Sequence, residues 1–113
     1  MHLFFRSRSL ETRCAALQAG ETAWGAAAPA VRRRLAQLAA AETLRTLMEL
    51  PPPLRPAPCS AELPTQFIWT ATPSLQIRFA AVTEHGERFS ESLSEPSTVR
   101  AALILAIEEN HGR

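Results

Sequence analysis

The chain contains no lysine; all twelve basic residues are arginine. Alanine is abundant as well, and the two features together read as the coding bias of a GC-rich genome rather than as a functional choice. Cysteine and histidine are scarce. Cys14 and Cys59 lie far apart, neither belongs to a C-x-x-C pair, and the histidines are His2, His85 and His111. This spacing excludes the common zinc signatures, so no metal is expected. No apolar run reaches the roughly 18 residues of a helical membrane span. The opening MHLFFRSRSL is short and quickly charged, unlike a secretory signal. These absences predict a cytoplasmic location, where a disulfide is disfavoured and both cysteines are expected as small buried apolar residues. There is no Walker loop, dinucleotide fingerprint or nucleophile elbow, and no cofactor is implied. The formal net charge is only +1 and the pI 7.9. Dedicated nucleic-acid-binding domains usually lie above about 9, so strong unaided binding of RNA is not expected.

What is present suits one domain, residues 1–113, of mixed α+β class. Apolar residues make up 46% of the 113, enough for one modest core. HLFFR (2–6) reads as a short strand with Leu3 and Phe5 on one face. Ser7 or Ser9 can cap the helix that follows. Leu10, Cys14, Leu17 and Trp24 make a stripe on a helix expected to run to Gly25, with Gly20 a weak point inside it. A second helix is expected from about Ala27, with Pro29 in its first turn and Val31, Leu35 and Leu38 facing the core. It should stop before Glu42, where Thr43 opens a short helix with Leu44, Leu47 and Met48. The two long helices are expected to pair as a hairpin. Arg32, Arg33 and Arg34 read as the solvated face of the second helix.

LPPPLRPAP (50–58) lacks donors and reads as a stiff linker. QFIWTATPSLQIRFAAV (66–82) reads as a β-hairpin turning at Thr72-Pro73-Ser74, with a second turn at His85-Gly86 and a polar loop over 91–97. The closing AALILAIEENHGR (101–113) is open between two readings. Val99, Leu103 and Ile107 share a helical face after a capping Ser97, whereas LILAI suits a buried central strand. Local signals slightly favour the helix. Glu108 and Glu109 read as solvated carboxylates.

Read in order, these segments resemble the RelE/ParE superfamily of bacterial toxins, and among them the HigB-like killer proteins of plasmid maintenance systems. The resemblance runs nearly end to end. It is carried by LFFRSRSLETRC, AWG, VRRRLAQLAAAETLRTLMELPPPLRP, QF (66–67) and ILAIEENHG. It implies a β-α-α-β-β-β fold, a helical hairpin packed on a twisted, mainly antiparallel sheet, with 101–108 a central strand. It also implies a type II toxin–antitoxin system. Its partners would be a small helix-turn-helix antitoxin and, for an mRNA endoribonuclease, the ribosome and its mRNA.

Position by position, the resemblance keeps His111 as general acid or base and Arg55 as a phosphate contact. Glu62 stands for a family Asp or Asn, and Gln76 for an Arg; both are expected at the substrate. Ala57, Ser60 and Leu63 replace a His, a Lys and an Arg. The cationic clamp is therefore thinned. Arg78 lies two residues from Gln76 on the same strand face, displaced by about 6–7 Å. It either restores part of the lost charge as a catalytic cation or is a solvated strand Arg. The implied function is thus ribosome-dependent mRNA cleavage with reduced activity. The alternative is a non-catalytic interaction protein, either a degenerate toxin that binds an antitoxin or a ParE-like gyrase inhibitor.

Overall fold

The structure is a computed structural model. It describes residues 1–52, 54–60, 62–87 and 98–109. Its elements are β1 (His2–Phe5), α1 (Arg8–Ala15), α2 (Leu17–Trp24), a 3-10 turn (Gly25–Ala27), α3 (Ala28–Ala40), α4 (Leu44–Met48), β2 (Ala57–Ser60), β3 (Leu63–Thr70), β4 (Leu75–Val82) and β5 (Ala101–Glu109). The class is α+β, with one five-stranded mixed sheet in the order β1-β5-β4-β3-β2. β5 runs parallel to β1 and antiparallel to β4.

The closing run is a strand, against the local preference for a helix. The reason lies in its register. β5 pairs evenly with β4 from Ala101 to Ile104, then Leu105 is left out of the pairing and Ala106 faces Arg78. This bulge resets the alternation. Ala102 and Ile104 join the helix-side core, Leu105 belongs to the opposite face, and Ile107 returns to the helix side. Helix-side residues at 102, 104 and 107 break the period of two, and of the expected helical stripe Val99 and Ile107 lie on the helix side while Leu103 lies on the opposite face.

The long first helix of the sequence reading is two helices. The backbone is extended at Ala16, with φ −93° and ψ 124°. Gly20 lets α2 close onto α1, since a Cβ there would meet the Arg13 carbonyl at 3.0 Å and Arg32 Nη1 at 3.1 Å. What looked like a weak point is a close approach. Ser7 caps α1 by accepting from the Leu10 N–H at 3.1 Å, and Gly25 ends α2 with φ +55°. α3 begins with Pro in its first turn and buries Val31, Leu35 and Leu38, as its spacing requires. Its last carbonyls, Ala39 and Ala41, accept from the Met1 ammonium, the favourable sign for a helix C-terminus.

The Pro-rich linker yields one strand more than expected. Ala57 and Pro58 enter β2, which lies at the sheet edge. An edge strand tolerates a residue without a donor, and Pro58 sits opposite Phe67.

Alternation divides the sheet into two faces. Leu3, Phe5, Phe67, Trp69, Ile77, Phe79, Ala102 and Ile104 pack on the helices. Phe67 and Phe79 are cross-strand partners with rings stacked at 5.5 Å. On the other face Ala80, Val82, Ala101 and Leu105 form a second buried cluster with Phe4 and Leu103. No described helix is long and apolar enough to cross a membrane.

Candidate functional site

The second face changes character along β4. Ala80 and Val82 are apolar and buried, whereas Arg78 and Gln76 bring polar groups. Their cross-strand neighbours follow from register. Thr70 of β3 and Glu108 of β5 face Gln76, Ile68 and Ala106 face Arg78, and Gln66 faces Ala80. Gln66 is 8% exposed, the one polar residue among the buried ones described.

Three of these side chains form a cluster around one carboxylate. Gln76 Nε2 donates to Glu108 Oε2 at 2.9 Å. Arg78 Nη2 meets Glu108 Oε1 at 3.1 Å. Both oxygens are therefore engaged. The Arg78 and Glu108 side chains are each 32% exposed. At that exposure such a pair contributes about 0–1 kcal/mol to stability. Arg78 Nε is buried without a hydrogen-bond partner, a desolvation penalty of about 1–3 kcal/mol. The guanidinium is thus half-withdrawn from water, and its charge is opposed by one carboxylate.

Glu108 reaches this face only because of the bulge at Leu105. Strict alternation from Ile104 would have turned Glu108 toward the helices. Its local sequence reads as a solvated carboxylate, and the structure makes it the centre of the cluster. The signal that could have found it is the break in period between Ile104 and Ile107.

Among the other expected site residues, Arg55 is exposed and makes no ion pair among the described residues. It stands two residues before Ala57, which pairs with Ile68, itself opposite Arg78. That places it about two strand spacings, roughly 10 Å, from β4 at this end of the sheet. Glu62 is exposed and precedes Leu63 at the far end of β3 from Thr70. Seven residues of strand, about 23 Å, separate Leu63 from Thr70. The structure therefore brings Gln76 and Arg78 together and leaves Glu62 apart. His111 lies outside the described residues, as does the expected polar loop over 91–97.

The arginine run on α3 is not a solvated face. Of the three, Arg33 alone is exposed. Arg32 Nη1 is buried without a partner. Arg34 lies over the Trp69 ring, 5.0 Å from its centroid. Its Nε donates to the Thr70 carbonyl at 3.1 Å and its Nη1 to Gln37 Oε1 at 2.9 Å. Trp69 Nε1 in turn donates to the Leu54 carbonyl at 2.8 Å, which ties the Pro-rich segment to the sheet.

No cluster of three metal-ligating side chains occurs among the described residues. The cysteines are free and half-buried rather than fully buried. Burial pushes the Cys14 thiol up to about 11, against a smaller opposite pull from Arg13. A groove of about 660 Å³ runs between α2 and the ends of β4 and β5, beside Trp24, Leu75, Ile107 and Glu109. No family model, curated protein or solved structure matches the chain.

Proposed function

We propose that this chain is a HigB-like toxin of the RelE/ParE superfamily, one half of a type II toxin–antitoxin pair. The observation that carries the reading is the position of β5. A closing strand that inserts between the opening strand and β4 is what the resemblance of ILAIEENHG implies. It brings the end of that strand beside Gln76 and Arg78. The helices on one face and the polar cluster on the other support the same reading.

In the cleavage so proposed, the ribose 2′-oxygen attacks the adjacent phosphorus and the 5′-oxygen of the next nucleotide leaves. One group must take the 2′-OH proton and another must protonate the leaving oxygen. General acid–base assistance of this kind is worth about 10²–10⁴ in rate. His111 is assigned one of these transfers, since an imidazole titrates near neutrality. Arg78 and Arg55 oppose the charge that builds on the phosphorane oxygens, while Gln76 and Glu62 hydrogen-bond the substrate. Arg78 can act only by exchanging Glu108 for phosphate.

That exchange favours a second reading. A cation already opposed by a carboxylate is a weak clamp, so a binding-only relative that engages an antitoxin, or gyrase, fits the Arg78–Glu108 pair. Growth curves and primer extension on ribosome-bound mRNA separate the two. Wild type should be compared with His111→Ala, Arg78→Ala and Gln76→Arg. Cleavage that vanishes in both Ala variants supports the nuclease. Cleavage unchanged in both removes this site, and absence in every variant, Gln76→Arg included, selects the binding protein. A small helix-turn-helix protein encoded in the adjoining gene is expected under either.

A further inference from the structure

On the helix side of the sheet, away from the Glu108 cluster, a groove of about 280 Å³ lies among α3, α4, the Pro-rich segment and β3. Its walls are Arg34, Gln37, Leu47, Leu50, Leu54 and Trp69. Four of the six are large apolar side chains. Leu54 is 48% exposed, one of only two large apolar side chains so exposed among the described residues. It is nevertheless anchored, because its carbonyl accepts from Trp69 Nε1. The groove is thus preformed.

One wall carries a charge that no described residue of the groove opposes. Arg34 is fixed by the Thr70 carbonyl, the Gln37 amide and the Trp69 ring, all of them neutral. Two of its five N–H donors are used by these contacts, and three remain. No carboxylate of the described residues lines the groove, and Glu49, next to Leu50, is paired with Arg45 at 3.4 Å. An arginine held in place in advance loses little freedom when it meets an anion. Its planar fork suits a carboxylate in particular.

We infer that this groove docks a segment of a partner protein in which an apolar side chain stands next to an Asp or Glu. The apolar side chain lies on Leu54 and the half-buried Leu50, above the buried Leu47 and Trp69, and the carboxylate takes the free donors of Arg34. The charge pattern selects this occupant. RNA is recognised through several phosphates at once, and this groove offers one cation above an apolar floor. The inference stands apart from the toxin reading, since it uses none of the residues assigned to cleavage.

The test is an NMR titration of the full chain with two probes, the N-acetylated, C-amidated peptides Leu-Glu-Leu-Glu-Leu and Leu-Gln-Leu-Gln-Leu. The two tryptophans give separate indole N–H signals, so Trp24 serves as an internal control for Trp69. The Glu peptide should shift the Trp69 signal and leave Trp24 in place, with affinity about ten-fold above the Gln peptide. Arg34→Gln should abolish that difference, and Arg33→Gln should keep it. Leu54→Ser should weaken both peptides alike. Should Arg34→Gln fail to fold, salt supplies the same answer on the wild type. Raising it from about 50 to 500 mM should weaken the Glu peptide and spare the Gln peptide. An unmoved Trp69 signal at millimolar peptide overturns the inference. So does equal, salt-independent binding of the two peptides.

Discussion

Arg34 and Arg78 stand on opposite faces of the same sheet and illustrate two fates of a cation. Arg34 is bound by neutral groups, a carbonyl, an amide and an indole ring. Its position is fixed and its charge is left over. Arg78 is bound by a carboxylate, and its charge is locally cancelled. In the sequence neither shows its fate: Arg34 closes a run of three arginines before Leu35, and Arg78 lies between Ile77 and Phe79. What separates them is which partner the tertiary structure delivers. A fixed but uncompensated cation is suited to receive an anion; a compensated one must first give one up.

The largest effect on this contrast should come from Trp69→Ala. It removes a core side chain, the ring beneath Arg34 and the bond to Leu54. A loss of about 3–5 kcal/mol in urea unfolding is expected, with Arg34 freed to the solvent. Next, Glu108→Gln should make the two arginines alike by uncovering Arg78. Stability should change by less than about 1 kcal/mol, because the pair is one-third exposed. Affinity for single-stranded RNA should rise, and its salt dependence should steepen by about 0.7 in log–log slope for the added cation. An unchanged slope would mean that Arg78 stays unavailable without its carboxylate.

Arg34→Ala should cost about 1–2 kcal/mol, from one ring contact and two hydrogen bonds. Arg33→Ala on the same helix should change stability by less than about 0.5 kcal/mol. A last expected effect, read as a rate, concerns how dry the helix side is at α1. With its thiol near 11, Cys14 should react with iodoacetamide at pH 8 about a hundred-fold more slowly than in the urea-unfolded chain. A thiol raised in the folded state favours folding fully below its unfolded value near 9. That contribution fades as pH rises from 9 through about 11. Equal rates in folded and unfolded chain would contradict the burial.

Much of the helical layer was legible in the sequence. The spacing of Val31, Leu35 and Leu38, the Pro near the start of α3 and the fresh start at Thr43 are local signals, and they matched the described helices. The hairpin was legible for the same reason, since Phe67, Trp69, Ile77 and Phe79 keep a strict period of two. Features decided by approach between distant segments were hidden. The break at Ala16 depends on α2 folding back through Gly20. β2 depends on a partner strand that accepts Pro58 at its edge. The candidate site was half legible. Gln76 and Arg78 share a face by simple alternation, but Glu108 joins them only after the Leu105 bulge, whose single local trace is the break in period between Ile104 and Ile107. The three arginines of α3 show the same limit, because only tertiary contact distinguishes the exposed Arg33 from the held Arg34.

The place of β5 bears on how the chain folds. Among the described residues β1 has no strand partner other than β5, with His2 beside Ala101 and Phe5 beside Ile104. The first strand to be made must therefore wait for residues near the other end of the sequence, and until then β4 presents an open edge with apolar side chains on both faces. Such non-local closure slows folding. A half-built sheet of this kind exposes surface that drives association between chains. Soluble yield should consequently be sensitive to temperature and synthesis rate, and slow expression in the cold should favour chains whose last strand reaches its slot before a neighbour's does.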